Sequence, residues 1–415
     1  MATTAVQIRE FDPPAYDPFA MDEFNTGTCP DPYPLLHELR AKGSVHPGSY
    51  RDFLGMEPTS YDAGHPHFTI VGADDVTTAL TDQERFSNAA YKLNLGMTFG
   101  MGSISTMDNP EHGRYRKIFQ KIFLPQHVRE WGSTIVDPVV RDLMSGFIGR
   151  GEADLIQEFT IRYPFEVIYR QLDLPETDVR TFQRLAIGQT DFFHPDRARE
   201  AAAKLGEYFI ALVEERRRNP GDDLVSLLAN TEVDGEYLPE LVLLSFLRQL
   251  MNAAGDTTYR GTSILLYCLL NNPDQLQAVR DNRKLIAPAI EEALRWDGPV
   301  VCQTRMAAAD MTLDGVDIPK GALLDVMAGA ANRDPALWPD PDRFDIFRKR
   351  DAHWSFARGP HICVGQHLAR VEMTRAMEAI LDNLHNLRRD PDKPAPEIVG
   401  SALRAPKHLH VRFDA

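Results

Sequence analysis

The densest chemistry in the chain lies in Trp354-Ser-Phe-Ala-Arg-Gly-Pro-His-Ile-Cys363-Val-Gly365-Gln-His-Leu-Ala-Arg370. One cysteine stands between Gly359-Pro360 and Gly365, and a helix is expected directly after it. A thiolate there faces the unpaired N–H groups of a helix N-terminus, which lowers its pKa and keeps it anionic. The flanking glycines let backbone come close to a flat ligand. Such a thiolate suits a single axial bond to a haem iron. Two other readings of the same residues stay open. One is a buried cysteine in a turn. The other is a zinc site from His361, Cys363 and His367, although that spacing matches no usual zinc pattern and lacks a fourth ligand.

A second cluster is Asn252-Ala-Ala-Gly255-Asp256-Thr257-Thr258, inside a Leu-rich helical stretch. Small residues, an acid and two β-branched hydroxyls are poor choices for a helix interior. The bland reading is a helix tolerating a polar turn, with a threonine bonding back to the carbonyl four residues earlier. The sharper reading is a locally widened turn that makes room for a ligand, with Asp256 and Thr257 relaying protons to it. Glu292 and Arg295 share a helix face at i, i+3, which on a solvated surface is an ordinary ion pair. His112 and Arg116 lie one turn apart on a single face, and Arg114, Lys117 and Lys121 fall on the opposite one.

These residues need elements to hold them, and composition allows a large core. The chain has 415 residues, 43% of them hydrophobic and 25% charged, which is ordinary for a globular protein. Its formal net charge of −15 argues against nucleic acid as a partner. The N-terminal stretch lacks the apolar segment of a secretory signal. The richest apolar runs, 241–247 and 264–270, are too short to span a bilayer. Four scattered cysteines (Cys29, Cys268, Cys302, Cys363) fit neither a disulfide framework nor a CxxC metal site. The expectation is a cytoplasmic protein in a reducing compartment.

Helical periodicity dominates from Glu111 to Trp296, with long helices over 197–218 and from Pro239 to about Leu270. Short strands are expected at 68–71, 301–306, 311–313, 323–326 and 409–413, with Asp314-Gly315 as a hairpin turn. No linker interrupts the chain. The fold class is therefore mostly α with small β-sheets, in one large domain over 30–415 behind an N-terminal extension, 1–29.

The pattern Phe356-x-x-Gly359-x-His361-x-Cys363-x-Gly365 resembles the haem-binding signature of the cytochrome P-450 superfamily, soluble bacterial type. The stretch Ala253-Ala-Gly-Asp256-Thr257 is similar to the family's oxygen-activation motif. Glu292-x-x-Arg295 with Pro339-Asp-Pro-Asp-Arg343-Phe344 looks like its ion-pair network. With Asp222-Asp223-Leu and Asn332-Arg-Asp334-Pro335, the resemblance runs from about residue 30 to 413. It implies the P-450 fold, with haem b between two long helices and Cys363 as the axial thiolate. Phe356 would pack beside the sulfur, and Gly365 and Ala253 would adjoin the haem. His112, Arg116, Arg305 and His361 would hold its propionates. Asp256 and Thr257 would deliver protons, and Glu292, Arg295 and Arg343 would form the structural network. Two positions depart from the pattern: Ala357, where Gly or a small polar residue is usual, and Ala254, where Gly is frequent. If position 357 needs positive φ, alanine brings strain.

The resemblance also implies a monooxygenase that inserts one oxygen atom into a lipophilic substrate. No GxGxxG stands between a strand and a helix, so no nicotinamide motif is present. NAD(P)H-derived electrons would then come through a separate reductase and an iron–sulfur ferredoxin or flavodoxin. The outward basic stripe of Arg114, Lys117 and Lys121 could dock such a donor. A monomer with no membrane partner is expected. Alternatives are a peroxide-using haem-thiolate peroxygenase, which has less use for Asp256 and Thr257, and a non-catalytic haem-binding module. The family's pocket segments here supply Tyr91, Leu95, Met97, Phe99, Phe246, Leu250 and Val300. Gly96, Gly100 and Gly102 suggest a mobile lid. With Lys92 and Asp256 the only charges placed there, a neutral or weakly polar substrate is expected.

Overall fold

The computed structural model describes residues 7–12, 16–20, 29, 31–56, 64–175, 178–233, 235–349 and 351–414. Five of its helices position the chemistry: α1 (Glu111–Ile122), α2 (Pro195–Arg218), α3 (Glu240–Asn271), α4 (Ile286–Trp296) and α5 (Gln366–Asn383). α3 runs about 48 Å at 1.5 Å per residue. It is Leu-rich with few β-branched residues, and it buries residues on every side from Val242 to Leu270. A helix apolar all round belongs in the middle of a core, and α3 is shared by the two largest apolar clusters. One gathers α1, α2 and the N-terminal half of α3 around Phe119, Leu205, Phe209 and Leu247. The other gathers the C-terminal half of α3, α4 and α5 around Leu265, Ile290 and Ile380. Gly255 marks the tightest approach to α3. A Cβ there would lie 2.5 Å from the Phe165 ring of the helix Tyr163–Gln171.

A five-stranded sheet closes one side of the molecule: β1 (Val45–Pro47), β2 (His67–Ile70), β3 (Phe86–Ser87), β4 (Gln303–Ala307) and β5 (Leu323–Val326), in the spatial order β1-β2-β5-β4-β3. β2 and β5 run parallel with Val326 opposite Ile70, and the other pairs are antiparallel, with Leu324 opposite Arg305. The strands Met311–Leu313 and Val316–Ile318 form a hairpin. Its turn residues, Asp314 (φ 49°) and Gly315 (φ 75°), are both left-handed, as the Asp-Gly pair predicts. The strands Glu152–Asp154, His385–Arg389 and His410–Asp414 make a second small sheet.

The mostly helical expectation, with small sheets and two long helices at these positions, holds. Near the N-terminus, Phe11 is buried with its ring against Gly188. Lys204 of α2 reaches the carboxylate of Asp12 at 3.0 Å. Among the described residues, no helix is long and apolar enough to cross a membrane.

Candidate functional site

The loop before α5 is built to present one sulfur. The N–H of Cys363 donates to the Phe356 carbonyl (2.8 Å), that of Ala357 to Trp354 (2.8 Å), and that of Ile362 to Gly359 (3.1 Å). The fold back requires left-handed backbone at Ala357 (φ 59°) and Gly359 (φ 69°). The strain expected at Ala357 is therefore present in the backbone. At Gly359, a Cβ would sit 2.6 Å from the Leu80 carbonyl oxygen, so glycine alone fits. Cys363 opens onto a cavity deep in the protein, with Gly365 as the N-cap of α5. Burial pushes its thiol up. The Gly365 N–H, the guanidiniums of Arg116 and Arg370 and the Gln366 N–H oppose that by favouring the thiolate. Arg370 lies 4.3 Å over the Phe356 ring and grips Glu291 with two bonds, of 2.6 and 2.9 Å.

The cavity wall brings together most of the residues singled out in the sequence. Phe356, His361, Cys363 and Gly365 come from the loop, Leu250, Ala253 and Thr257 from α3. Arg116, Arg305, Tyr91, Leu95 and Val300 complete it. Five of these expectations need correction. Asp256 is not on this wall; it is buried on another side of α3, with Arg260 Nε donating to its carboxylate at 3.0 Å. Thr257 and Thr258 face in, whereas Asp256, one position earlier, does not. Phe246 stacks on Phe119 in the core at 3.7 Å. Phe99 is core as well, and Met97 is 38% exposed. None of these three lines the cavity. Lys92, one of the two charges expected in the pocket, is exposed outside it.

The widened turn is absent too. α3 is α-helical throughout, and the Thr257 hydroxyl donates to the Ala253 carbonyl four residues back at 3.0 Å. The ion-pair network is also composed differently from the expectation. Arg295 meets Glu292 with two bonds of 2.8 Å. The second guanidinium on Glu292 is Arg348 (3.2 Å), and the Asp345 N–H adds a bond of 2.9 Å. Arg343 is exposed and supplies only its carbonyl, to Arg295 and Arg348. His361, Cys363 and His367 do not gather their ligand atoms. Among the described residues, only Asp154, His408 and His410 do so within 4.8 Å, away from this cavity.

One edge of the cavity carries positive and imidazole groups that lack an anion. His112 and His361 lie 3.8 Å apart, ring to ring. Both nitrogens of His112 and Nε2 of His361 are buried without a partner. Burial, with Arg116 adding repulsion, holds His112 down to about 4. Burial, then His112, Arg305 and Arg116, hold His361 down to about 2. Arg305 is buried, donating to its neighbour's carbonyl at 2.9 Å, and Arg116 reaches the Ile362 carbonyl. Orphaned buried donors of this kind are costly unless a ligand satisfies them. A flat group with two carboxylate arms at this edge and a metal facing Cys363 satisfies the donor set, so the residues fit a haem.

Sequence reasoning missed one participant. Glu372, on α5, lines the cavity with Oε2 buried and unpartnered, and burial holds its carboxyl far above the usual range. Its signal was an acid on the apolar face of Leu368, Met373 and Ala376. Gln249 ties α3 to the loop after β3, accepting from Ser103 (2.7 Å) and donating to Ser105 (2.6 Å).

A cytochrome P450 family model matches residues 192–413. Cytochrome P450 107B1 of Saccharopolyspora erythraea is 34% identical over 307 residues, which is 74% of this chain and 75% of that protein. The monooxygenase PikC of Streptomyces venezuelae is 32% identical over 375 residues, 87% of this chain and 85% of the relative. Among solved structures, cytochrome P450 CYP109Q5 from Chondromyces apiculatus superposes with a TM-score of 0.82 at 28% identity, covering 93% of this chain and 96% of its own.

Proposed function

The chain belongs to the cytochrome P450 family, a haem-thiolate monooxygenase by that membership, and from this we propose that Cys363 is the thiolate and that the substrate is a lipophilic small molecule. The observation that carries the reading is the pairing of one open cysteine sulfur with a cavity edge of unpartnered His112 and His361 beside Arg116 and Arg305. When bound, the haem activates dioxygen for insertion of one oxygen atom into a C–H bond. The chain's own residues do the rest. His112, Arg116, Arg305 and His361 hold the propionates by charge-assisted bonds. Phe356, fixed under Arg370, keeps water from the sulfur. Ala253 and Gly365 leave the two faces of the slot open, and Leu95, Leu250 and Val300 present apolar wall to the substrate.

Thr257 Oγ1 holds the proton nearest the reacting face. Asp256 supplies protons from behind the helix once its pair with Arg260 opens. Electrons come from a separate iron–sulfur ferredoxin or flavodoxin with its NAD(P)H reductase. Purified protein, reduced under carbon monoxide, is expected to show the red-shifted band of thiolate ligation, and Cys363→Ser to lose it. Thr257→Ala is expected to keep that band and lower coupling of NAD(P)H to product by roughly tenfold or more. A wild-type protein without the band overturns the assignment.

A further inference from the structure

We infer that Asp154, His408 and His410 form a site for a divalent transition ion, Zn2+ first among them, outside the cavity described above. The inference stands apart from the monooxygenase reading and does not depend on it.

Strand geometry brings the three together. His408 and His410 are two residues apart on the segment that leads into the strand His410–Asp414, and side chains at i and i+2 of an extended chain share a face. Leu409 and Val411, of the opposite parity, are buried in the core. His410 stands directly opposite Asp154 in the antiparallel pairing with Glu152–Asp154. Two imidazoles therefore flank one carboxylate that lies 254 positions before His408 in the chain.

The carboxylate is held in place for them. Its Oδ1 accepts from the N–H groups of Ile156 and Leu409, both at 3.1 Å, and the Asp154 N–H donates to Glu158 Oε1 at 2.9 Å. Oδ2 is left facing His408 Nδ1 at 2.6 Å and His410 Nδ1 at 3.9 Å. The two rings are nearly parallel, at 6°, with centroids 5.5 Å apart. Gln157 Nε2 donates to the Lys407 carbonyl at 3.1 Å, which fixes the chain just before His408. Each of the three residues offers a ligand atom within 4.8 Å of the others. Zinc bonds of about 2.0–2.2 Å in a tetrahedron set ligand atoms about 3.3 Å apart, so each imidazole needs to move by only about 0.7 Å or less. The His408 side chain, 59% exposed, is free to do so, and water takes the positions that face solvent.

A single histidine beside an aspartate on the surface is an ordinary ion pair worth little. A second imidazole at the same oxygen turns the pair into a donor set of two nitrogens and one oxygen. That set suits Zn2+ and its neighbours, whereas Ca2+ and Mg2+ favour oxygen ligands and Cu+ favours thiolates. His408 also lines an open cleft with Arg162 and Lys407, so an ion reaches it from bulk water. The positive groups of that cleft oppose a cation, which makes the site weaker than one with four protein ligands. Once bound, the ion ties the strand His410–Asp414 to Glu152–Asp154.

The test dialyses untagged holoenzyme, first stripped with EDTA, against about 10 µM Zn2+, enough to fill a site of about 1 µM affinity. Elemental analysis then counts zinc per chain. One equivalent is expected, undisturbed by millimolar Ca2+. His408→Gln, His410→Gln and Asp154→Asn are each expected to weaken binding by about 10- to 100-fold or more, since even partners outside the coordination sphere are worth that much. Exposed His408 is the variant least able to disturb folding, and its Soret spectrum should match the wild type with and without zinc. Zinc is also expected to slow hydrogen exchange of the amides from 409 to 413 in the wild type and not in His408→Gln. No zinc above the buffer level, equal zinc in the wild type and all three variants, or displacement by Ca2+ each overturn the site. Full occupancy with unchanged exchange overturns the tie between the strands.

Discussion

At the scale of single residues, the sulfur loop shows what one side chain costs. Ala357 holds φ 59°, a conformation that disfavours an L side chain by about 1–2 kcal/mol. Glycine there relieves the strain but enlarges the unfolded ensemble by about 0.4–1 kcal/mol. The net expectation is that Ala357→Gly stabilises the holoprotein by about 0.5–1 kcal/mol, read as a higher denaturant midpoint with the Soret position unchanged; a lower midpoint contradicts the strain argument. Glu291 makes the second prediction. Burial alone would raise its pKa, but bonds from Arg370 and His353 outweigh burial and bring it from 4.5 to about 2. A depressed carboxylate contributes stability that is fully present above about pH 4.5 and is lost as pH falls through about 2. With 26% of the side chain exposed, solvent screening trims that contribution to on the order of 2–3 kcal/mol. Glu291→Gln should therefore be less stable at neutral pH and should lack part of the wild-type acid slope between pH 4.5 and 2. Parallel slopes for the two proteins would refute it.

At the scale of elements, the network under α4 turns on which arginine the loop after Pro339 delivers. Arg348 donates through Nε to Glu292, through Nη2 to the Asp340 and Arg343 carbonyls, and through Nη1 to the Pro339 carbonyl. Removing it leaves a buried carboxylate less satisfied and frees that loop, so Arg348→Ala is expected to cost about 1–3 kcal/mol. Arg343→Ala keeps the carbonyl that Arg295 and Arg348 use, so it should cost under about 0.5 kcal/mol. Thermal melts of the two variants decide it, and equal losses would restore Arg343 to the network. The same contrast explains what sequence could give. α3, α5 and their neighbours were legible because 3.6-residue periodicity extends over many turns. The strands Val45–Pro47, Phe86–Ser87 and Glu152–Asp154 were not, since two or three residues carry no period. Loop register, which chose Arg348 over Arg343, leaves no periodic trace at all. Phe246 and Phe99 enter the expected pocket through the family's pocket segments, and apolar residues on α3 or in the loop after β3 fit core as well as cavity. Asp256 is different: its carboxylate is taken by Arg260 one turn further on, an i, i+4 pair that the sequence itself displays.

At the scale of the whole molecule, two electrostatic effects compete, and salt tells which wins. The net charge of −15 repels an acidic electron donor over distance. Against that stands the exposed stripe of Arg114, Lys117 and Lys121 on α1, whose opposite face carries His112 and Arg116 to the cavity. A donor docked on the stripe would thus lie one helix away from the propionate-holding groups. The Debye length is about 10 Å at 0.1 M salt and about 3 Å at 1 M, so both effects fade with salt but with opposite signs. If the stripe governs encounter, the second-order rate of reduction by an acidic iron–sulfur ferredoxin falls steeply as salt rises, and reversing all three charges to Glu removes the slope and slows low-salt reduction by about tenfold or more. If the global field governs, the wild-type rate rises with salt and the reversal changes little. We expect the first outcome, because attraction at contact distance outweighs repulsion from charges spread over the whole surface. The triple variant should keep its Soret spectrum, since none of its three positions lines the cavity.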